Sequence, residues 1–211
     1  LNSPLYSVAR PSASPDPKGL LVLLHGLGSD EEDLIGLAEY LDPAFYVSSL
    51  RGPLSYGPGY MWFTLDVTGG SIRYDVSEAR RSIALVSDQV RSLQDQVKLG
   101  PNETVVAGFS QGAMLSLGLL CAETDLATRF WLMSGASIPE LELGLRGKNP
   151  SVLIQHGLYD EVVPVSRGRR TRDLLLGAGL KDVQYLEYPM AHSISQEGLK
   201  DANRWLSTMA L

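Results

Sequence analysis

Ser110 lies in Gly108-Phe109-Ser110-Gln111-Gly112, a G-x-S-x-G stretch between the apolar run Thr104 to Ala107 and the helix-like run Ala113 to Cys121. A serine on a sharp strand-to-helix turn needs small neighbours, because the turn is crowded, and it presents its hydroxyl clear of the sheet. The five-residue pattern is common in turns of every kind, so its surroundings must decide whether it does chemistry. A serine hydroxyl is a poor nucleophile at neutral pH and requires a base to take its proton and an acid to orient that base. The chain has three histidines. His25 lies in a glycine turn and His156 directly before Gly157, and both read as packed, hydrogen-bonding residues. His192 follows the alternating segment Val183 to Tyr188 within Pro189-Met190-Ala191-His192-Ser193, which makes it the candidate base. Asp160, in Gly157-Leu158-Tyr159-Asp160-Glu161, is the candidate acid, with Glu161 as its nearest rival.

These residues must be brought to one place, and the pattern of elements supplies a way. Leu20 to Leu24 is a continuous apolar run of the kind buried on both faces of a parallel sheet. Phe45 to Leu50, Thr104 to Ala107, Phe130 to Met133, Val152 to Gln155 and Val183 to Tyr188 read as further strands, and Leu5 to Val8 as a short edge strand. Apolar residues recur at helical spacing from Val76 to Val97, and helices are also expected over Val165 to Leu176 and Ser195 to Met209. Alternating strands and helices imply a mostly parallel sheet covered on both faces, whose strands all present their carboxyl ends to one edge. Ser110, Asp160 and His192 all fall at that edge.

His25-Gly26-Leu27-Gly28 falls there too, directly before Ser29-Asp30-Glu31-Glu32, which has the capping-box spacing of a helix start. Backbone N–H groups at such a position lack intrahelical partners and can meet developing negative charge, so the turn reads as half an oxyanion hole. From Leu54 to Tyr74 no period is visible, and a loop of that length is usually a lid or a binding loop. Its Trp62 and Phe63 either line a pocket or plug the core. Arg167, Arg169, Arg170 and Arg172 form a basic run that reads as a solvated helix face.

The whole chain narrows the field further. Its 211 residues, 44% hydrophobic and 20% charged, suit one domain over residues 1–211. A net charge of −6 leaves no basic surplus for nucleic acid. No apolar run approaches the ~18 residues of a membrane span. The lone Cys121 excludes an internal disulfide and fits a reducing, cytoplasmic setting. No His-x-x-x-His pair or other close ligand spacing is present, so no metal is expected.

The order Ser110, Asp160, His192 is that of α/β-hydrolases and differs from two other serine hydrolase designs. Leu24-His25-Gly26-Leu27-Gly28, Arg51-Gly52-Pro53, Gly108 to Ala113, Gln155-His156-Gly157 with Asp160, and Ala191-His192-Ser193 follow in succession. Together they resemble the phospholipase/carboxylesterase family that includes the acyl-protein thioesterases. The resemblance covers residues 20 to about 206, and it implies an α/β-hydrolase fold without a large cap domain. It also implies a triad of Ser110, Asp160 and His192, an oxyanion hole from the backbone N–H groups of Leu27 and Gln111, and no cofactor. Ala191 stands where the family commonly has glycine, and Ser29 to Glu32 is closer to bacterial-type esterase members than to the thioesterases. The expected function is hydrolysis of small carboxylic esters with short to medium acyl chains. Thioesterase or lysophospholipase action, and a non-catalytic ligand-binding module, are the alternatives. By loop position, Leu27, Trp62, Phe63, Phe109, Val163 and Met190 are expected to supply an apolar acyl-binding surface.

Overall fold

A computed structural model describes residues 4–66, 73–122, 125–141 and 149–209. Its main sheet has seven strands: β1 (Ser7–Arg10), β2 (Gly19–Leu24), β3 (Phe45–Leu50), β8 (Thr104–Phe109), β9 (Arg129–Met133), β10 (Ser151–Gly157) and β11 (Val183–Tyr188). The spatial order is β1-β3-β2-β8-β9-β10-β11. Only β1 runs antiparallel to its neighbour. This is the α/β-hydrolase class of sheet, and its parallel strands deliver their carboxyl ends to one edge.

Helices α1 (Glu31–Ile35), α2 (Val76–Val97), α3 (Gln111–Ala122), α4 (Val165–Gly177) and α5 (Gln196–Ser207) cover the two faces. The strand sequences show why. Along β2, Leu20, Val22 and Leu24 join a core with Ala79, Val86 and Val90 of α2, Leu115 and Leu119 of α3, and Leu175 of α4. Leu21 and Leu23 point the other way, to Leu34 of α1 and Leu199, Ala202 and Leu206 of α5. Strict alternation across a strand that is apolar throughout thus makes two cores, one on each face. The first residue of α3 through Cys121 is buried, so α3 is the most enclosed of the helices that carry the site.

Two expectations need correction. The capping-box spacing points to Ser29 as the helix cap, but Asp30 holds that place: its carboxylate accepts from the N–H of Glu32 at 2.9 Å. The helix is also short, passing at Gly36 into a 3-10 turn that ends at Tyr40. Second, the 54–74 segment is not a structureless loop where it is described. It contains the hairpin of β4 (Leu54–Tyr56) with β5 (Gly59–Met61) and a pairing of β6 (Leu65–Asp66) with β7 (Arg73–Tyr74). Strands of two or three residues are too short for alternation to register in a sequence. Residues 67–72 of that segment lie outside the described residues.

Candidate active site

Ser110 adopts φ 54°, a left-handed conformation that costs a non-glycine residue about 1–3 kcal/mol and persists only where its surroundings enforce it. Those surroundings are visible. Its N–H donates to the carbonyl of Met133 at 2.9 Å, and its own carbonyl accepts from the N–H of Met114 in the first turn of α3. The flanking glycines let strand, turn and helix meet: a Cβ at Gly112 would lie 2.0 Å from the Leu24 carbonyl oxygen, and one at Gly108 would lie 2.3 Å from the backbone of Gly112. The sequence folds into this turn because nothing larger fits there.

At the ends of β10 and β11, Nδ1 of His192 lies 2.7 Å from Oδ2 of Asp160. A carboxylate only accepts, so the imidazole donates from Nδ1 and leaves Nε2 as a base. Asp160 is itself fixed: Oδ1 accepts from the N–H groups of Val162 and Val163 at 3.0 and 2.8 Å, and its side chain is fully buried. Glu161, the rival acid, is exposed. His156, as the sequence suggests, is a buried packing histidine; its Nε2 lies 2.7 Å from the Val163 carbonyl and 3.5 Å from Asp160 Oδ2. The ring of Phe109 packs on that of His192, with centroids 4.8 Å apart. Beneath the His192 loop, Gln155 accepts from the indole N–H of Trp131 and donates to the Tyr188 hydroxyl and the Gly198 carbonyl. Tyr188 in turn donates to Asp201, and burial followed by this partner raises its pKa above the ordinary phenol value.

The turn at His25–Gly28 is held differently. His25 is buried, with Nδ1 2.7 Å from the Gly26 carbonyl and Nε2 accepting from the N–H of Gly52 at 2.9 Å. Burial holds its pKa below the ordinary imidazole value, so the ring is neutral and can accept. The hairpin clamps the same turn from outside: Gly28 N–H donates to the Tyr60 carbonyl and Tyr60 N–H to the Ser29 carbonyl, both at 2.8 Å. Next to it, Arg51 pairs with Glu31 through two nitrogens and is stacked between Tyr6 and Tyr60, 4.2 and 4.5 Å from their ring centroids. That partner holds the Glu31 carboxyl below its usual range. Gln111, first residue of α3, is at a position whose N–H has no intrahelical acceptor.

The structure therefore brings Asp160 and His192 into contact and puts Ser110, Leu27 and Gln111 on the same sheet edge. It does not support the whole expected acyl surface. Leu27, Phe109 and Met190 remain partly accessible, but Trp62 and Phe63 are fully buried and Val163 nearly so, all three within the core that contains α2 and α3. A large aromatic ring gains on the order of 2–3 kcal/mol by full burial, and the Trp62 indole also finds an acceptor inside. The sequence reading missed the side chain of Gln111, which is 2% exposed and bonded to the backbone of Trp62 and Phe63. It also missed the Arg51–Glu31 pair. Neither has a local sequence signal beyond a buried-context amide and a lone arginine at a strand end.

Sheet order, a left-handed serine between β8 and α3, and a buried aspartate holding a histidine after β11 define an α/β-hydrolase. The chain belongs to the phospholipase/carboxylesterase family, whose model matches residues 7–210. It is an ester hydrolase of the α/β-hydrolase type. Esterase YpfH of Escherichia coli is 28% identical over 200 residues, covering 90% of this chain and 83% of its own. Acyl-protein thioesterase 1 of Debaryomyces hansenii is 24% identical over 227 residues, 97% of each chain. The solved structure of esterase PE8 superposes with a TM-score of 0.86 at 29% identity, covering 99% of this chain and 100% of that one. No helix among the described residues is long and apolar enough to cross a membrane.

Proposed function

We propose that this chain, as a single domain, hydrolyses small carboxylic esters with short to medium acyl chains through an acyl-Ser110 intermediate. The observation that carries the reading is the 2.7 Å contact between His192 Nδ1 and Asp160 Oδ2, on the edge where Ser110 is held at φ 54°. Ser110 Oγ attacks the ester carbonyl carbon while His192 Nε2 takes the hydroxyl proton. The tetrahedral oxyanion is met by the N–H groups of Leu27 and Gln111. As it collapses, the bond to the alcohol oxygen breaks and His192 returns the proton to that oxygen. Water then repeats the sequence against the acyl-serine. Asp160 holds the tautomer and stabilises the imidazolium. Leu27, Phe109 and Met190 are the residues proposed to meet the acyl group. The lone, buried Cys121 fits a cytoplasmic setting as part of the same proposal.

The test is a series of chromogenic esters of increasing acyl length, run beside Ser110→Ala. The expected result is activity greatest toward short and medium chains and a loss on the order of 10⁶ in kcat for the variant. Activity that survives the substitution would overturn the mechanism. Relatives named acyl-protein thioesterase support a second reading, thioester hydrolysis by the same residues. Matched oxygen and thiol esters separate the two, since a clear thiol-ester preference would reverse the choice.

A further inference from the structure

Trp62 has every polar group turned inward. Its indole N–H donates to the carbonyl of His25 at 2.9 Å, and its ring packs on the His25 imidazole with centroids 5.1 Å apart. Its backbone N–H donates to Oε1 of Gln111 at 2.9 Å, its carbonyl accepts from the hydroxyl of Ser82, and Nε2 of Gln111 donates to the carbonyl of Phe63 at 2.7 Å. One residue is thus bonded both to the start of the turn that carries Leu27 and to the first residue of α3. Any buried tryptophan must satisfy these groups; what sets Trp62 apart is that its partners lie on both segments, His25 before Leu27 and Gln111 at the start of α3. A residue that met substrate would need accessible surface, and Trp62 has none.

We infer that Trp62 is a positioning residue: with the Gln111 amide as its clamp, it fixes the separation between the N–H of Leu27 and the N–H of Gln111. This rests on the reading of those two N–H groups as the oxyanion hole. The need is physical. β2 and β8 are neighbours whose ladder ends with Leu24 opposite Gly108, so the two turns beyond are no longer paired to each other. Donors to an oxyanion must lie about 2.7–3.1 Å from where it forms, and a displacement near 1 Å can cost on the order of 10²-fold in rate. Trp62 links the two turns with two hydrogen bonds, one from its backbone N–H to Gln111 and one from its indole N–H to His25. Gln111 then acts twice, its backbone toward the oxyanion and its side chain in holding Trp62.

The experiment compares Trp62→Phe, which deletes the indole N–H while keeping an aromatic ring, with Gln111→Glu, which sets a carboxylate oxygen against the Phe63 carbonyl. Each is first titrated with a fluorophosphonate so that rates refer to competent sites, and each is assayed on acetyl, butyryl and octanoyl 4-nitrophenyl esters. A trifluoromethyl ketone, which adds to the serine as a tetrahedral oxyanion, is measured as inhibitor. The expected result for both variants is a fall in kcat of about tenfold or more, short of the roughly 10²–10³ for outright loss of a donor. The fall should be equal across the acyl lengths, with KM within about twofold and ketone affinity lost in proportion to kcat/KM. A purely structural residue would lower the titratable fraction or Tm and leave the kcat of titrated sites unchanged, which overturns the inference. So does a loss that grows with acyl length, which would make Trp62 an acyl-binding residue. If Trp62→Phe does not fold, Gln111→Glu and Gln111→Met carry the same comparison. Ser110→Ala retaining activity would refute the underlying reading; an inactive Ser110→Ala beside clamp variants of parental kcat would refute this inference alone.

Discussion

Asp160 is fixed by N–H groups two and three residues along its own loop, whereas His25 is fixed by partners 27 and 37 residues away and Gln111 by partners 48 and 49 residues away. The proposed acid and base, Asp160 and His192, sit on short turns at the ends of neighbouring strands. The proposed oxyanion side is assembled from a strand end, a hairpin and a helix start that meet only in the folded chain. Chemistry that moves a proton needs a few groups correctly bonded to one another. Stabilising a transient charge needs two backbone segments held at a fixed distance, and that demands a scaffold.

The largest expected effect falls on the first half. Asp160→Asn should lower kcat about 10⁴-fold, because an amide favours the wrong tautomer of His192 while still accepting from Val162 and Val163. Steady-state kinetics with Tm measured in parallel check this; a loss smaller than that of Glu161→Ala would reassign the acid. Gly157→Ala should follow, at on the order of 10² in kcat, since its Cβ would lie 2.3 and 2.4 Å from the carbonyl oxygens of Ala191 and Met190 and must push the His192 loop. A crystal structure of the variant would show the displaced loop.

A smaller effect is expected from the brace on the oxyanion side. Glu31 has its pKa lowered from 4.5 by Arg51, so its contribution to stability is present above pH 4.5 and is lost as pH falls through the lowered folded value. Glu31→Gln should therefore lower Tm at neutral pH by about 2–4 °C and flatten the decline of Tm below pH 4.5. Parallel curves for parent and variant would show that the pair braces nothing. The smallest effect is that of Glu161→Ala, with kcat within about twofold of the parent, because its side chain lies in solvent.

The same division governs what could be read from the sequence. The helix Val76–Val97 and the strand Val183–Tyr188 lie where periodicity sets them, and the strand Phe45–Leu50 lies where a short run is ended by Arg51-Gly52-Pro53. The placement of Ser110, Asp160 and His192 at strand-end turns was legible because each follows a recognisable strand, while the contact between Asp160 and His192, 32 residues apart, is made only in the fold. The β4–β5 hairpin was not legible, being too short for a period, and without it the direction of Trp62 and Phe63 could not be read. Whether an aromatic on a long connection faces substrate or core depends on what closes over it. Here the closing groups are the amide of Gln111 and the carbonyl of His25, neither adjacent to it in sequence.

The most direct test of the account is to inactivate the protein with a fluorophosphonate and map the label by mass spectrometry. One label per chain is expected, on Ser110, with esterase activity lost in step with labelling. Activity lost with the label on another residue, or retained in protein fully labelled at Ser110, would contradict it.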